Sequence, residues 1–256
     1  MKIIKIIAVL YLCLVIAVAV FARTSSGEDM APNGMTGMEI LEHSGETTVN
    51  SFNFDLIGEL SVMGTVGTGE MVGTVDVLNR ELYIVSDSST SYIVDGWVYY
   101  ETATQDSSDW IKTALTDDIW QMLATPMQQL LLLEDPMDVE YAGSEQVGDV
   151  ECYELDVHPG LESLWAAVVT GEVDPDIDLD EFFTEYVVQL WVDDESLLPV
   201  KLYYDVSMET EFYGETLNMS MSITMTMSDH NQTESIELPA AALEAEEVTY
   251  EEFIYG

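Results

Sequence analysis

The sequence predicts an α+β protein in which one curved antiparallel β-sheet is covered on one side by helices. Two observations support this fold class. Apolar side chains recur at every second position over much of residues 48–101 and 139–229, which is typical of half-buried strands. The longest helical patterns are inserted in the middle of the chain. Strands grouped around inserted helices, without a regular β-α-β alternation, favour α+β over a parallel α/β fold.

Composition limits the classes of partner. The chain has 256 residues, of which 48% are hydrophobic, enough for one large domain or two small ones. It carries 49 acidic and 6 basic residues, a formal net charge of -43. Such a surface repels phosphates, so we exclude nucleic-acid binding and expect no direct attraction to anionic lipid. The excess of acid predicts a halophilic, archaeal type of source, and ordinary acidic secretion is the alternative.

The N-terminus predicts export from the cytoplasm. Lys2 and Lys5 precede an apolar run that ends at Arg23, so residues 1–22 form either a signal peptide or an uncleaved membrane anchor. Residues 23–37 are small and polar, which predicts a flexible linker to a β-rich domain at 38–256. Cys13 lies in the leader, which leaves Cys152 as a lone buried thiol.

The N-terminal half predicts a short helix followed by strands. Met38–His43 is the helical segment. Phe52, Phe54 and Leu56 share one face of a strand at 52–62. The glycines that follow indicate a turn, after which three further strands are expected. These glycines are Gly64, Gly67 and Gly69, and the three strands are 71–78, 81–86 and 91–101.

The middle of the chain predicts two successive helices. Ser107 or Ser108 would cap the first, which carries Trp110. The second starts near Thr116 and runs through Trp120 to residue 133, with a kink at Pro126. Strands and two short helices then alternate to the end. The strands are 139–145, 150–158, 185–192, 200–212 and 217–229, the helices are 160–170 and 179–184, and 239–247 is a loop with a short helix.

One strand concentrates methionines on a single face. Residues 218–228 alternate between polar side chains and Met219, Met221, Ile223, Met225 and Met227. Methionine is flexible and polarisable, so this face fits the soft wall of a lipid pocket. It equally fits a core face packed under helices.

No pattern indicates catalysis or a metal. Acids at alternating positions of Asp174–Glu185 resemble a calcium loop, but Leu179 stands where an EF-hand needs glycine, and a solvated acidic loop is the alternative. The three histidines lack metal-ligand spacing, and nucleophile and phosphate-binding motifs are missing. We therefore predict a protein that is not an enzyme, with no catalytic residue, metal or cofactor. A hydrolase that uses an unrecognised carboxylate pair is a third hypothesis.

Two segments resemble the LolA-like superfamily of lipoprotein carriers and periplasmic lipid-binding lipoproteins. They are the strand Gly148–Val157 (GDVECYELDV) and the hairpin Leu190–Lys201 (LWVDDESLLPVK). The resemblance extends over residues 38–248. It implies an unclosed half-barrel whose helices form a lid on the concave side, with acyl chains held between sheet and lid.

The leading hypothesis is thus an extracytoplasmic carrier that holds a lipid or acyl chain between sheet and helices. It would contact the membrane through its N-terminal segment. The alternative is a surface module that binds or senses an envelope protein and has a packed interior. The candidate lining residues are Phe52, Phe54, Leu56, Trp110, Trp120, Met219, Met221, Met225 and Met227.

Overall fold

A computed structural model describes residues 30–47, 49–103, 108–123, 133, 136–168, 178–212 and 215–255. The predicted leader, and the kink expected at Pro126, lie outside these residues. The described part contains twelve strands: β1 Ser51–Val62, β2 Thr65–Asp76, β3 Glu81–Ser86, β4 Ser89–Val94, β5 Trp97–Ala103, β6 Ser108–Ala114, β7 Pro136–Val147, β8 Val150–Pro159, β9 Phe183–Asp193, β10 Pro199–Phe212, β11 Glu215–Ser228 and β12 Glu246–Glu247.

Short helices accompany the strands. They are α1 Gly37–Glu46, α2 Asp117–Leu123, α3 Leu161–Val168, α4 Leu179–Phe182 and α5 Tyr250–Tyr255, with a 3-10 turn at Ala242–Glu244. A capping box starts α1: the Glu39 amide donates to Thr36 Oγ1 at 3.2 Å, and the Thr36 amide donates to Glu39 Oε2 at 2.8 Å. None of the helices among the described residues has the length and apolarity needed to cross a bilayer.

All twelve strands belong to one sheet, in the order β12-β6-β5-β4-β3-β2-β1-β11-β10-β9-β8-β7. Strands β1 to β6 form one meander and β7 to β11 a second, and the antiparallel pairing of β1 with β11 joins them. Only the two-residue β12 pairs in parallel, with β6, among the described strands. The sheet is curved and does not close, so the predicted fold class is confirmed.

The register places the core on one face of the sheet, which we call the inner face. Directly paired residues of neighbouring strands point to the same side. One such row crosses six strands from β8 to β2, and its members are all apolar: Leu155, Leu190, Leu202, Met225, Leu56 and Met71. The opposite, outer face carries most of the charged residues of these strands and two small apolar clusters.

The helices pack on the inner face. Ile40 of α1, Ile119 of α2 and Leu164 of α3 are fully buried and belong to the same cluster as the inner-face residues of the sheet. Phe253 of α5 joins this cluster from the C-terminus. Ala31 is also buried in it, so the packed part of the chain begins upstream of the boundary predicted at residue 38.

Residues 108–114 form strand β6, so the helix predicted to carry Trp110 is wrong. Their side chains alternate between the two faces: Trp110 and Lys112 lie on the outer face, Ile111 and Thr113 on the inner face. The β5–β6 pairing supplies hydrogen-bond partners and burial that outweigh the weak helical pattern.

Candidate functional site

Seven of the nine candidate lining residues lie together on the inner face. Phe54 pairs with Met227 and Leu56 with Met225 across β1 and β11. Phe52, Met219 and Met221 complete the group, and the exposures of the seven lie between 0% and 7%. These side chains therefore belong to the tightly packed core, which agrees with the core-face interpretation of the methionine strand.

The remaining two candidates are tryptophans that lie apart. Trp120 is on α2 as expected, packs against the inner cluster, and lies 5.4 Å by its ring centroid from the guanidinium carbon of Arg80. Trp110 lies on the outer face, 5.8 Å from the ring of Tyr92, against the chain that follows β11. Trp110 therefore cannot line the inner face, and its predicted position over the sheet is corrected.

The inner face opens where β1 and β2 extend beyond the core. Gly58 and Gly69 are cross-strand partners there, and Gly67 pairs with Leu60. A Cβ atom added at Gly67 or Gly69 would meet no atom within 4 Å. We call the strip formed by Gly58, Gly67 and Gly69 the glycine trough. Its half-buried apolar neighbours are Leu60, Val62, Met71 and Ile223.

A fourth inner-face glycine shows how the trough ends. At Gly73 an added Cβ atom would lie 2.9 Å from two atoms of the Phe54 ring. Phe54 thus covers Gly73, and the Leu56–Met71 pair between Gly73 and Gly69 borders the strip on the core side. The sequence interpretation missed the trough because it assigned Gly67 and Gly69 to a turn. The turn is only Met63-Gly64, both at positive φ. Since strand residues two apart share a face, Gly-x-Gly within a strand would have indicated the open strip.

The inner face is uncharged around the trough. No charged residue occupies its positions at 52–62 of β1, 65–75 of β2, 202–210 of β10 or 217–227 of β11. The outer positions of the same β1 and β2 segments include Asp55, Glu59 and Glu70. A buried charge without a partner costs several kcal/mol, so such a face favours contact with uncharged groups.

Among the described residues, no three His, Cys, Asp or Glu side chains are grouped so that they could hold a metal ion. Of the acidic segment considered for calcium, Asp174 and Asp176 lie outside the described residues. Asp178 caps α4, with its Oδ1 accepting from the Asp180 amide at 3.0 Å. This is the helix-capping role expected of a solvated acidic loop.

Residues 47–247 match the model of a family of unknown function, DUF6612. The chain belongs to this family. The DUF6612 match includes the glycine trough and ends at the last residue of β12, so α5 lies beyond it. No curated protein matches the chain.

Solved structures with a similar fold share little sequence with this DUF6612 member. The lipoprotein LppX of Mycobacterium tuberculosis is 11% identical, with 78% of this chain and 96% of LppX covered and a TM-score of 0.43. LprF of Mycobacterium bovis is 10% identical, with 82% and 99% covered and a TM-score of 0.45. A putative outer membrane lipoprotein-sorting protein domain from Vibrio parahaemolyticus is 10% identical, with 78% and 94% covered and a TM-score of 0.26. Similarity at this level does not relate the functions of the proteins.

Proposed function

We propose that this DUF6612 member binds an uncharged apolar chain, such as the acyl chain of a neutral lipid, along the glycine trough. The observation that supports the proposal is the open, glycine-floored strip on an inner face that carries no charge in β1, β2, β10 and β11. We further propose that the protein acts outside the cytoplasm, because Lys2, Lys5 and the apolar run to Ala22 have the pattern of an export signal.

Glycine in a strand often marks a place where a ligand approaches the backbone closely. At Gly67 and Gly69 no side chain fills the space above the sheet, so an extended hydrocarbon can lie against the main chain. Burial of each methylene contributes about 0.8 kcal/mol, so eight methylenes would contribute roughly 6 kcal/mol before the cost of immobilising the ligand. The proposal needs no catalytic residue, and we propose a binding protein, not an enzyme.

Substitution of Gly69 tests the trough. We expect Gly69→Leu to fill the strip without disturbing the fold, because Gly69 has an ordinary φ and free space. The probe is the uncharged fluorophore N-phenyl-1-naphthylamine, displaced by a neutral diacylglycerol. Gly69→Leu should weaken probe binding by about tenfold or more, equivalent to about 1.4 kcal/mol.

The matched control is Thr68→Leu, one residue away on the outer face of the same strand. It adds a comparable side chain without entering the trough, so it should bind the probe like the wild type. Thermal unfolding of both variants verifies that they fold. Equal probe binding by Gly69→Leu and the wild type would refute the trough as the site.

A protein-binding module is the second candidate function. The tip of the β1–β2 hairpin favours it, since Met63 and Val66 are 65% and 57% exposed there. This candidate predicts that the wild-type protein takes up neither the fluorophore nor diacylglycerol, whereas the lipid-binding proposal predicts uptake of both.

A further inference from the structure

The outer face contains a second pocket, separate from the apolar site. It has a volume of about 410 Å³, within the range of small-molecule sites. Side chains from β1 to β4 form its floor, and the chain after β11 forms one wall. We call it the tyrosine pocket, and it is lined by Asn53, Thr74, Tyr83, Tyr92 and residues 234–237.

Aromatic rings form one side of the tyrosine pocket. Tyr83 and Tyr92 are cross-strand partners whose ring centroids are 4.8 Å apart, and Tyr92 lies 5.8 Å from the ring of Trp110. Burial raises the pKa of Tyr92, as do the charge and hydrogen bond of Tyr83. The Tyr92 phenol therefore stays protonated at neutral pH, and the ring carries no charge.

The polar side of the tyrosine pocket consists of hydrogen-bonded side chains and carboxylates. Thr74 Oγ1 donates to Asn53 Oδ1 at 2.7 Å, and Asn53 Nδ2 donates to Asp229 Oδ2 at 2.8 Å. Glu234 and Glu237 lie at the rim with exposed side chains. No basic residue is among those that line the pocket. The site therefore combines aromatic rings with carboxylates.

The basic side chains of the described residues all lie against aromatic rings. Residues 30–255 contain three lysines and arginines, and each lies over an indole ring. The distances to the ring centroids are 5.4 Å for Arg80 over Trp120, 5.1 Å for Lys112 over Trp97 and 3.6 Å for Lys201 over Trp191. The tyrosine pocket has the rings and the carboxylates but no lysine or arginine of this chain in its lining.

We propose that the tyrosine pocket binds an organic ammonium ion, such as a quaternary ammonium group. Rings attract the cation through their quadrupole, and the rim carboxylates add Coulomb attraction. The net charge of -43 raises the local concentration of any cation and repels anions. A neutral ligand of the same shape gains the apolar contact but neither electrostatic contribution.

Calorimetric titration with choline tests this proposal, with its uncharged isostere 3,3-dimethyl-1-butanol as the matched ligand at constant ionic strength. We expect choline to bind about tenfold more tightly than the alcohol. Tyr92→Leu should reduce this preference several-fold, and so should the pair Glu234→Gln and Glu237→Gln. Binding of phosphatidylcholine vesicles by the wild type but not by Tyr92→Leu would identify a lipid head group, and not a free ammonium ion, as the source.

The control variant is Tyr203→Leu, which removes an outer-face tyrosine that also neighbours a carboxylate, Asp205, but lies on β10. It should bind choline like the wild type. Equal affinity for choline and the alcohol, absence of choline binding, or unchanged binding by Tyr92→Leu would each overturn the proposal. So would Tyr92-dependent binding of a neutral sugar without binding of choline. Thermal unfolding verifies each fold, and the Gly69→Leu variant should still bind choline, which separates this test from that of the trough.

Discussion

Lys201 is the most tightly placed cation of the described chain. Its ammonium nitrogen lies 3.6 Å from the ring centroid of Trp191. Trp191 is buried and donates its indole N–H to Glu145 Oε2 at 2.7 Å, so the ring is fixed from its edge. Lys201 also counteracts the burial and neighbouring charges that raise the pKa of Glu154. A single lysine thus stabilises both an aromatic surface and the acids around it.

We predict that Lys201→Met destabilises the fold by about 0.5–1 kcal/mol through loss of the cation–π contact. Methionine keeps the apolar stem and removes the charge. Lys112→Met changes the net charge equally but removes a contact of 5.1 Å, so it should cost less. Urea denaturation gives both free energies of unfolding, and equal values for the two variants would contradict a specific role of the Lys201 contact.

Cys152 confirms the lone buried thiol predicted from the sequence. It is free and fully buried under Trp191 and Val200 on the outer face. Burial, followed by the charge of Asp193, raises its pKa to about 11. The thiol is therefore protonated at neutral pH and behaves as a small apolar side chain.

At the scale of elements, the period-two alternation of apolar side chains was enough to predict strands that have one buried face. It identified β1, β8 and β9 to β11, and the helices at α1 and α3 were also expected. The number of strands was underestimated by three: β6 was assigned to a helix, β12 to a loop with a short helix, and one predicted strand is in fact two. Asp95-Gly96 forms a two-residue turn with φ of 52° and 78°, and it divides the predicted strand 91–101 into β4 and β5.

The candidate site was predicted only in part. Which residues share a face follows from alternation, so the grouping of Phe54 and Leu56 with the methionines could be anticipated. Their burial depends on helices packed over them, which no local pattern specifies. Trp110 was misplaced because β6 is defined by pairing with β5, a tertiary contact. The tyrosine pocket likewise depends on the path of residues 234–237 across the sheet.

The C-terminal segment winds around one edge of the sheet. It crosses the outer face, adds β12 to β6, and the Val248 amide donates to the Lys112 carbonyl at 2.9 Å. Helix α5 then places Phe253 on the inner face, 6.3 Å from the ring of Tyr100. This path covers the edge of β6, where unpaired main-chain groups would otherwise invite aggregation.

We predict that Phe253→Ala lowers the free energy of unfolding by about 3 kcal/mol, because it empties a buried aromatic site. Phe253 is 3% exposed, whereas Tyr250 in the same helix is 40% exposed. Tyr250→Ala therefore serves as the matched control and should change stability by no more than about 0.5 kcal/mol. Urea denaturation measures both. A Phe253→Ala variant as stable as the control would show that α5 adds nothing to the core.

For the whole molecule, the dominant physical fact is the separation of charge from the inner face. The acids of the described strands lie mostly on the outer face or near the strand ends, where water and salt screen them. Arg80 and Asp117 form an ion pair at 2.9 Å, but their side chains are 43% and 83% exposed, so the pair contributes little. Most carboxylates therefore repel one another without a basic partner, and this repulsion opposes the compact state.

We predict that KCl stabilises the protein strongly at pH 7. Screening shortens the Debye length from about 10 Å at 0.1 M to about 3 Å at 1 M, which removes most of the repulsion that a net charge of -43 produces. The control is the same titration near the isoelectric point of about 4.1, where the net charge is close to zero. Thermal unfolding at increasing KCl should show a large rise in Tm at pH 7 and a small one near pH 4. Equal rises at both pH values would mean that salt acts by strengthening apolar burial, and the acidic surface would then not be the cause of the salt dependence.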